Sequence, residues 1–149
     1  MFPNLFETDL TDYQGTLQAA AFEGVGPIFP PSNIVRRDQP WGIKVDWEVH
    51  GPLVNYFDAE FRIRVYLESM GPGTEYELPI EIVATLDPLF PPVAGQRIYT
   101  KNINIAAGTI DVGVYKIATV IHVFERSSGN PTPIAGFVEG GMVFVFDPA

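Results

Sequence analysis

Two histidines are the first residues to consider for chemistry, because imidazole titrates near neutral pH and can act as acid, base or metal ligand. His50 and His122 are far apart in the sequence, and neither has a second ligand at a suitable spacing. The G-x-S-x-G, H-E-x-x-H and P-loop motifs are absent, and so is cysteine. The sequence therefore predicts a protein that is not an enzyme and has no catalytic residue.

Acidic residues are the second candidates, because several converging carboxylates can hold Ca²⁺. Asp9 and Asp12 are close in the sequence, and Asp111 and Glu139 fall in predicted loops, but no D-x-D-x-D run occurs. A solvated acidic surface explains these residues more simply. We therefore predict no metal and no cofactor.

Loop aromatics are the third candidates, because exposed rings can stack on sugars. Trp41, Tyr56, Phe57 and Phe90 lie in or near predicted loops. Single loop aromatics more commonly cap the core at the ends of a sandwich. A ligand-binding module for carbohydrate or calcium, built from loops at one end, remains the alternative function.

The elements that must position these residues are β-strands, because apolar and polar residues alternate along most of the chain. The clearest alternation is in residues 42–50 and 59–69, where apolar side chains occupy every second position. Residues 15–23 fit either a strand or a short helix. The other alternating segments are 79–86, 98–106, 114–125 and 134–146.

Composition agrees with an all-β domain. The chain has 149 residues, which suits one domain that buries about 70% of its unfolded surface. Its 14 glycines and 14 prolines form no repeat and separate the predicted strands, as turns do. The net charge of −9 argues against nucleic acid or an anionic membrane as partner, since both require basic patches.

The first 32 residues differ from the rest, because they are rich in Phe, Leu and Pro but poorly periodic. We predict an N-terminal arm over 1–32, packed on the domain or on a neighbour, and a β-sandwich domain over 33–149. The first basic residue is Arg36, and no apolar run reaches the ~18 residues of a membrane helix. Without a signal peptide or transmembrane segment, the expected location is cytoplasmic by default and otherwise unknown.

The stretch DVGVYKI, residues 111–117, reads as a corner that leads into a strand. Tyr115 begins the inward stripe of that strand, and Asp111 and Gly113 lie in the turn before it. This stretch resembles the tyrosine corner of immunoglobulin-like sandwiches, in which a Tyr hydrogen-bonds to the backbone upstream. Ile117 occupies the position of the second disulfide cysteine in antibody domains. The resemblance implies a two-sheet immunoglobulin-like sandwich of about seven to nine strands.

In that scheme the two sheets differ in their outer faces. One would expose polar residues such as Lys44, Asp46 and Glu48, together with Glu81 and Thr85. The other sheet would expose apolar residues. Its last strand, MVFVF, is apolar on both sides, so either Met142, Phe144 and Phe146 or Val143 and Val145 point outward. Sheets that are apolar on both faces are normally covered on both. The predicted interface residues are Val120, His122, Phe124, Met142, Phe144 and Phe146.

Three covers for this face remain open: the N-terminal arm, a second copy or polymer of the chain, or another protein. The basic pair in Arg36-Arg37-Asp38 could orient such a contact by pairing with an acidic loop of a neighbour. We therefore predict a non-enzymatic structural or protein-interaction module that self-associates or binds a partner through the apolar outer face.

Overall fold

The structure, a computed structural model, describes residues 4–7, 14–24, 32–51, 59–85, 88 and 96–148. In these ranges the chain is all-β, with no helix of the length and apolarity that crossing a membrane requires. The strands are β1 (Asn4–Glu7), β2 (Gln14–Glu23), β3 (Ile34–Arg36), β4 (Trp41–His50), β5 (Ala59–Ser69), β6 (Tyr76–Glu77), β7 (Glu81–Ala84), β8 (Gln96–Ile105), β9 (Gly113–Glu125) and β10 (Pro131–Phe146).

The strands form two sheets, of three and seven strands, so the prediction of an all-β chain with two sheets is confirmed. Antiparallel β2, β4 and β8 make the smaller sheet. β4 pairs along its whole length with β2 on one side and with β8 on the other. Ten strands are described rather than seven to nine, because β1, β3 and β6 are too short to show a period of two in the sequence.

The larger sheet is built on β5, β9 and β10, which pair side by side and antiparallel. The other edge of β5 pairs with the short strands β6 and β7. The other edge of β10 pairs with β1 and, in parallel, with β3. β1 also pairs with β2, so one short strand joins the two sheets along one side.

The core lies between the sheets and is built from the inward stripes of the long strands. At its centre Trp47 stacks on Tyr99, with ring centroids 5.5 Å apart. Phe61 meets both rings edge-on from the larger sheet, at 5.4 Å from Trp47 and 4.8 Å from Tyr99. All three side chains are buried. Buried aromatic rings that meet in this way contribute strongly to the stability of a core.

The segment 15–23, for which strand and helix were both open, is a strand. β2 pairs with β4 along its whole length, from Gln14 opposite His50 to Glu23 opposite Trp41. Alternation decides the outcome, because Leu17, Ala19 and Ala21 are buried against the core. The described part of 1–32 therefore contributes strands to both sheets, and the domain boundary at residue 32 stays a prediction.

The placement of 79–86 in the polar sheet was wrong. β7 pairs with β5 in the larger sheet, where Glu81 lies opposite the buried Ile63 and therefore points inward. Glu81 and Thr85 were expected on the outer side, but Thr85 is buried, and Ile80 and Ile82 are 45% and 55% exposed instead. A four-residue strand has too short a pattern to reveal which sheet it joins.

β8 is the outer strand of the smaller sheet, and among the described residues no strand pairs with its second edge. Lys101 interrupts its inward stripe between the buried Tyr99 and Ile103. Its Nζ lies 3.8 Å from Glu81 Oε2 across the opening between the sheets. An ion pair therefore occupies the open side of the sandwich, opposite the side that β1 joins.

Gly42, on β4, is a position where the backbone of a neighbouring strand comes too close for any side chain. A Cβ there would lie 2.6 Å from Ile103 O and 2.6 Å from Phe22 Cζ. We expect Gly42→Ala to lower the free energy of unfolding by about 1–3 kcal/mol, because the backbone of β8 must shift. Urea denaturation of the variant and the parent measures this loss.

The matched control is Gly71→Ala, in the turn after β5. A Cβ at Gly71 meets nothing within 4 Å. This exchange should therefore leave the urea midpoint nearly unchanged, within about 0.5 kcal/mol. Equal effects of the two exchanges would contradict the close approach of β4 and β8 at Gly42.

Candidate interaction surface

The outer face of the three-stranded sheet is polar. Thr100 Oγ1 donates to Asp46 Oδ1 at 2.7 Å, and Gln96 Nε2 donates to Glu48 Oε1 at 2.5 Å. Lys44 Nζ lies 3.9 Å from Asp46 Oδ1. Cross-strand pairs of this kind satisfy one another and remain in contact with water. This face needs no cover.

The outer face of the seven-stranded sheet, hereafter the outer face, is different because it carries exposed apolar side chains. Nine large apolar residues of the described chain are exposed, and all lie in this sheet or in turns beside it: Ile34, Met70, Ile80, Ile82, Val112, Val114, Phe137, Met142 and Phe144. None of the nine belongs to β2, β4 or β8. Concentration of exposed apolar residues on one sheet is typical of a surface that contacts another molecule.

The orientation of β10 decides which residues of MVFVF reach this face. The register of β10 against β9 shifts between Glu139 and Gly141. The residues that point inward therefore change there from even-numbered to odd-numbered positions. Val143 and Val145 are fully buried after the shift. Met142 and Phe144 are 47% and 42% exposed. A β-bulge thus turns the second half of this strand, as bulges commonly do.

One end of the outer face is a continuous apolar row, which we call the terminal row. Phe144 is the centre of the row, paired with Ile34 on β3 and with Val114 on β9. Met70 extends it, because its backbone N–H donates to Val114 O at 2.9 Å. All four side chains are exposed. The ring of Phe146 stacks near that of Phe144, with centroids 6.3 Å apart.

The opposite end of the outer face is a compact cluster around Phe124. The Arg62 guanidinium lies 3.9 Å from the centre of the Phe124 ring, a cation–π distance, and its Nε donates to Glu60 Oε2 at 3.0 Å. The His122 ring lies 4.7 Å from that of Phe124, and its Nε2 is 2.8 Å from Thr132 O. A carbonyl only accepts, so Nε2 carries the proton in this contact.

The predicted interface residues are therefore placed on one face but in separate groups. Val120, His122 and Phe124 are half-buried on β9, whereas Met142 and Phe144 are exposed on β10. Phe124 and the terminal row are ten residues apart along β9, which is about 33 Å. Val120, paired with Phe137 and Arg64, lies between the two groups.

Charged residues cross the middle of the outer face. Lys116 and Glu139 form an ion pair, and Glu139 lies on β10 rather than in the predicted loop. The hydrogen bond and charge of Glu139 raise the pKa of Lys116 above its ordinary value. This pair separates the terminal row from Val120 and Phe137, so the face is amphipathic rather than uniformly apolar.

Four apolar residues of this face were not singled out from the sequence: Ile34, Met70, Val114 and Phe137. Ile34 and Met70 lie outside the long alternating segments, so no periodicity marks them. Val114 and Phe137 were within predicted strands, and their outward position follows once their buried neighbours Tyr115 and Val138 are fixed. Because Tyr115 was predicted to point inward, alternation along the strand places its neighbour Val114 outward, so Val114 could have been identified from the sequence.

The turn before β9 is held by hydrogen bonds at the position of the DVGVYKI stretch. Tyr115 Oη donates to Asp111 O at 2.7 Å, and the Asp111 N–H donates to Tyr76 Oη at 3.2 Å. The two tyrosine rings meet edge-on at 5.9 Å. Tyr115 is buried, whereas the Asp111 side chain is largely exposed.

The basic pair beside β3 is engaged within the chain. Arg37 Nε donates to Ile110 O at 3.1 Å, and Nη2 donates to Gly108 O at 3.1 Å and to Asp111 Oδ1 at 3.4 Å. Arg36 pairs with Asp38 at 2.9 Å. The contacts of Arg37 tie β3 to the turn before β9, and pairing of these arginines with an acidic loop of a neighbour stays a prediction.

We expect Tyr115→Phe to lower the free energy of unfolding by about 1 kcal/mol, because Asp111 O loses its buried donor. Urea denaturation measures this change, and Tyr66→Phe on the outer face is the control for the same exchange. An unchanged midpoint for Tyr115→Phe would contradict a stabilising role of the hydroxyl.

The same variant has a second effect, on alkaline stability. Burial raises the pKa of Tyr115 above its ordinary value of 10.0, and the charges of Tyr76 and Asp111 raise it further. The unfolded chain then releases this proton at a lower pH than the folded chain. The contribution to stability is therefore present below about pH 10 and is lost as the pH rises through the folded pKa. Stability of Tyr115→Phe should decline less steeply above pH 10.

Catalytic and metal-binding geometry is limited in the described ranges. His50 faces outward from β4 and His122 faces outward from β9, so the core of the sandwich separates the two imidazoles. Among the residues that the structure describes, no three His, Asp or Glu side chains are grouped so as to hold a metal ion. Asp9, Asp12, Tyr56, Phe57 and Phe90 lie outside the described residues.

Comparison with known proteins found no protein family that the sequence matches and no curated protein similar to it.

Proposed function

We propose that the protein is a non-enzymatic structural or interaction module that associates with protein through the outer face. The observation that carries the proposal is the asymmetry between the sheets. The smaller sheet pairs its polar side chains with one another, whereas the larger sheet exposes apolar side chains such as Phe137, Met142 and Phe144. Burying such groups contributes about 25 cal/mol per Å² before the costs of association.

Aromatic side chains are the expected anchors of this contact, because they dominate the energetics of interfaces. Phe144 and Phe137 are 42% and 46% exposed and can bury additional surface on association. Phe124 already packs against Arg62 and His122, so it has less surface to lose. Phe144 and Phe137 are therefore better anchors than Phe124.

An immunoglobulin-like arrangement of the sandwich is part of the same proposal. The adjacency of β5, β9 and β10 supports strands C, F and G, and that of β2, β4 and β8 supports A, B and E. The Tyr115–Asp111 hydrogen bond supports a tyrosine corner. β6 and β7, paired with β5, are in the place that C′ takes in variable-type domains rather than that of D.

The test compares the native size of the chain with that of the double variant Phe137→Ser and Phe144→Ser. Each is measured by size exclusion with light scattering, purified and after mixing with an extract of its source cells. We expect the parent chain to exceed the mass of one chain in at least one condition and the double variant to stay monomeric in both. Parent and variant of equal mass in both conditions would refute the proposed working surface.

A further inference from the structure

We propose that the occupant of the outer face is a second copy of this chain, bound face to face about a two-fold axis. This inference rests on the proposed function, because it uses the same face. Three properties of the face support it: its charge balance, its area and the distribution of its apolar side chains. The charge balance disfavours a partner of strongly basic or strongly acidic character, and the area and the apolar distribution fit a contact between two copies.

Charge balance is the first property. The whole chain is acidic, with 18 Asp and Glu against 9 Lys and Arg. The outward side chains of β3, β5, β6, β9 and β10 nevertheless include as many cations as anions. The cations are Arg36, Arg62, Arg64 and Lys116, and the anions are Glu60, Glu68, Glu77 and Glu139.

Balanced charge on these five strands of an acidic chain has a direct consequence for partner choice. Two copies repel one another through most of their surface, and the repulsion is least where charges cancel. A basic partner would be drawn to the acidic remainder of the surface rather than to this face. Two copies of a face that carries both signs can also place opposite charges together when a two-fold axis relates them.

Area is the second property. β5 has 11 residues, so the sheet is about 37 Å long. The seven strands occupy five positions side by side, because β6 and β7 share one edge and β1 and β3 share the other. Five positions are together about 24 Å wide. The face therefore offers about 900 Å² in outline. A standard stable interface buries about 800 Å² on each partner. The outer face is thus large enough for a dimer without contributions from the loops.

The apolar distribution is the third property. The terminal row lies at one end, the Phe124 cluster lies at the other, and Val120 and Phe137 lie between them. A two-fold axis near Val120, on the central strand β9, brings the terminal row of one copy over the Phe124 cluster of the other. Arg62 on that cluster then lies under the row that contains Phe144, where it can stack on the ring of the second copy.

The experiment uses the full chain, which has no cysteine of its own. Sedimentation equilibrium reports the mass of the purified protein up to about 1 mM. Single variants Val120→Cys and Asn104→Cys are then treated with a short bis-maleimide, which joins thiols that face each other. Asn104 lies on the outer face of the smaller sheet and is the control. We expect a dimer that cross-links at least tenfold faster through residue 120 than through residue 104.

The possible failures are distinguishable. A purified chain that is monomeric throughout overturns the inference of a second copy, while the experiment with cell extract still decides the proposed function. A dimer that cross-links through residue 104 and not through residue 120 overturns both, because association then uses another surface. Val120→Cys is a small exchange at a half-buried position, so folding of this variant, checked by circular dichroism, should be retained.

Discussion

Truncation of Phe61 to alanine is expected to lower the free energy of unfolding by about 3–5 kcal/mol. The ring is fully buried and contacts both Trp47 and Tyr99, which belong to the opposite sheet. Its loss removes apolar burial and two edge-on aromatic contacts, and it leaves a cavity between the sheets. Urea denaturation followed by tryptophan fluorescence measures the change, because Trp47 reports directly on this site.

Phe137→Ala is the matched control, because it makes the same exchange on a ring that is 46% exposed. At a concentration where the chain is monomeric, it should cost about 1 kcal/mol or less. A loss as large as that of Phe61→Ala would contradict the assignment of these two rings to the outside and inside of the larger sheet. A loss below about 1 kcal/mol for Phe61→Ala would contradict the aromatic centre of the core.

Phe144→Asp is expected to weaken self-association by at least about 100-fold, which corresponds to about 2.7 kcal/mol. Phe144 is at the centre of the terminal row, between Ile34 and Val114. The exchange removes the apolar burial of the Phe144 ring, and the new carboxylate must lose water when the face is covered. In a dry contact, pairing with Arg62 of the second copy offsets that desolvation only in part. Each dimer contains two such sites, which increases the effect. Sedimentation equilibrium over a dilution series gives the two dissociation constants.

Asn104→Asp controls for the added negative charge, because residue 104 is exposed on the other sheet. It should change the dissociation constant by less than about threefold, since a distant surface charge is screened by salt. Equal weakening by the two variants would show that net charge, rather than the terminal row, determines association. Circular dichroism of Phe144→Asp separates dissociation from unfolding.

The long strands of this fold are predictable from sequence because each follows a strict period of two. β4 and β5 alternate without a break, and their inward residues, such as Val45 and Ile63, are fully buried. Alternation identifies which residues share a side, and for long strands with one apolar side, such as β4 and β5, burial of that side follows. The same reasoning decides β2, where alternation prevails over the helix propensity of its alanines.

The pairing of strands is harder to predict from sequence than the strands themselves, because it depends on partners that are distant along the chain. Ile82 on β7 and Ile80 just before it form a suitable apolar side, but the pairing of β7 with β5 turns that side outward. In β10 the bulge after Glu139 changes the parity, so the choice between Phe144 and Val145 could not be made from the pattern alone. The pairing of β7 has no marker in residue type. The bulge has one in Gly140-Gly141, because glycine inside a strand often marks a bulge, but the resulting change of side does not follow from it.

The candidate surface was partly predictable for the same reason. Phe124 and Phe144 were identified because their strands lack a polar side. Ile34 was not, because β3 has only three residues and joins the face through parallel pairing with the end of β10. Strand ends from different segments of the chain form this surface. Predicting it therefore requires the sheet topology, which the period of two in the sequence does not reveal.

The ion pair of Lys101 and Glu81 has a consequence for the largest assembly that this chain can form. A strand that lengthened the smaller sheet beyond β8 would have to lie beside the inward ammonium of Lys101, which disfavours a dry, apolar continuation. Growth of a fibre by successive addition of sheets is thereby opposed at this edge. The two-fold contact proposed for the larger sheet would, by contrast, be complete with two subunits, so the proposal predicts closed pairs rather than open-ended filaments.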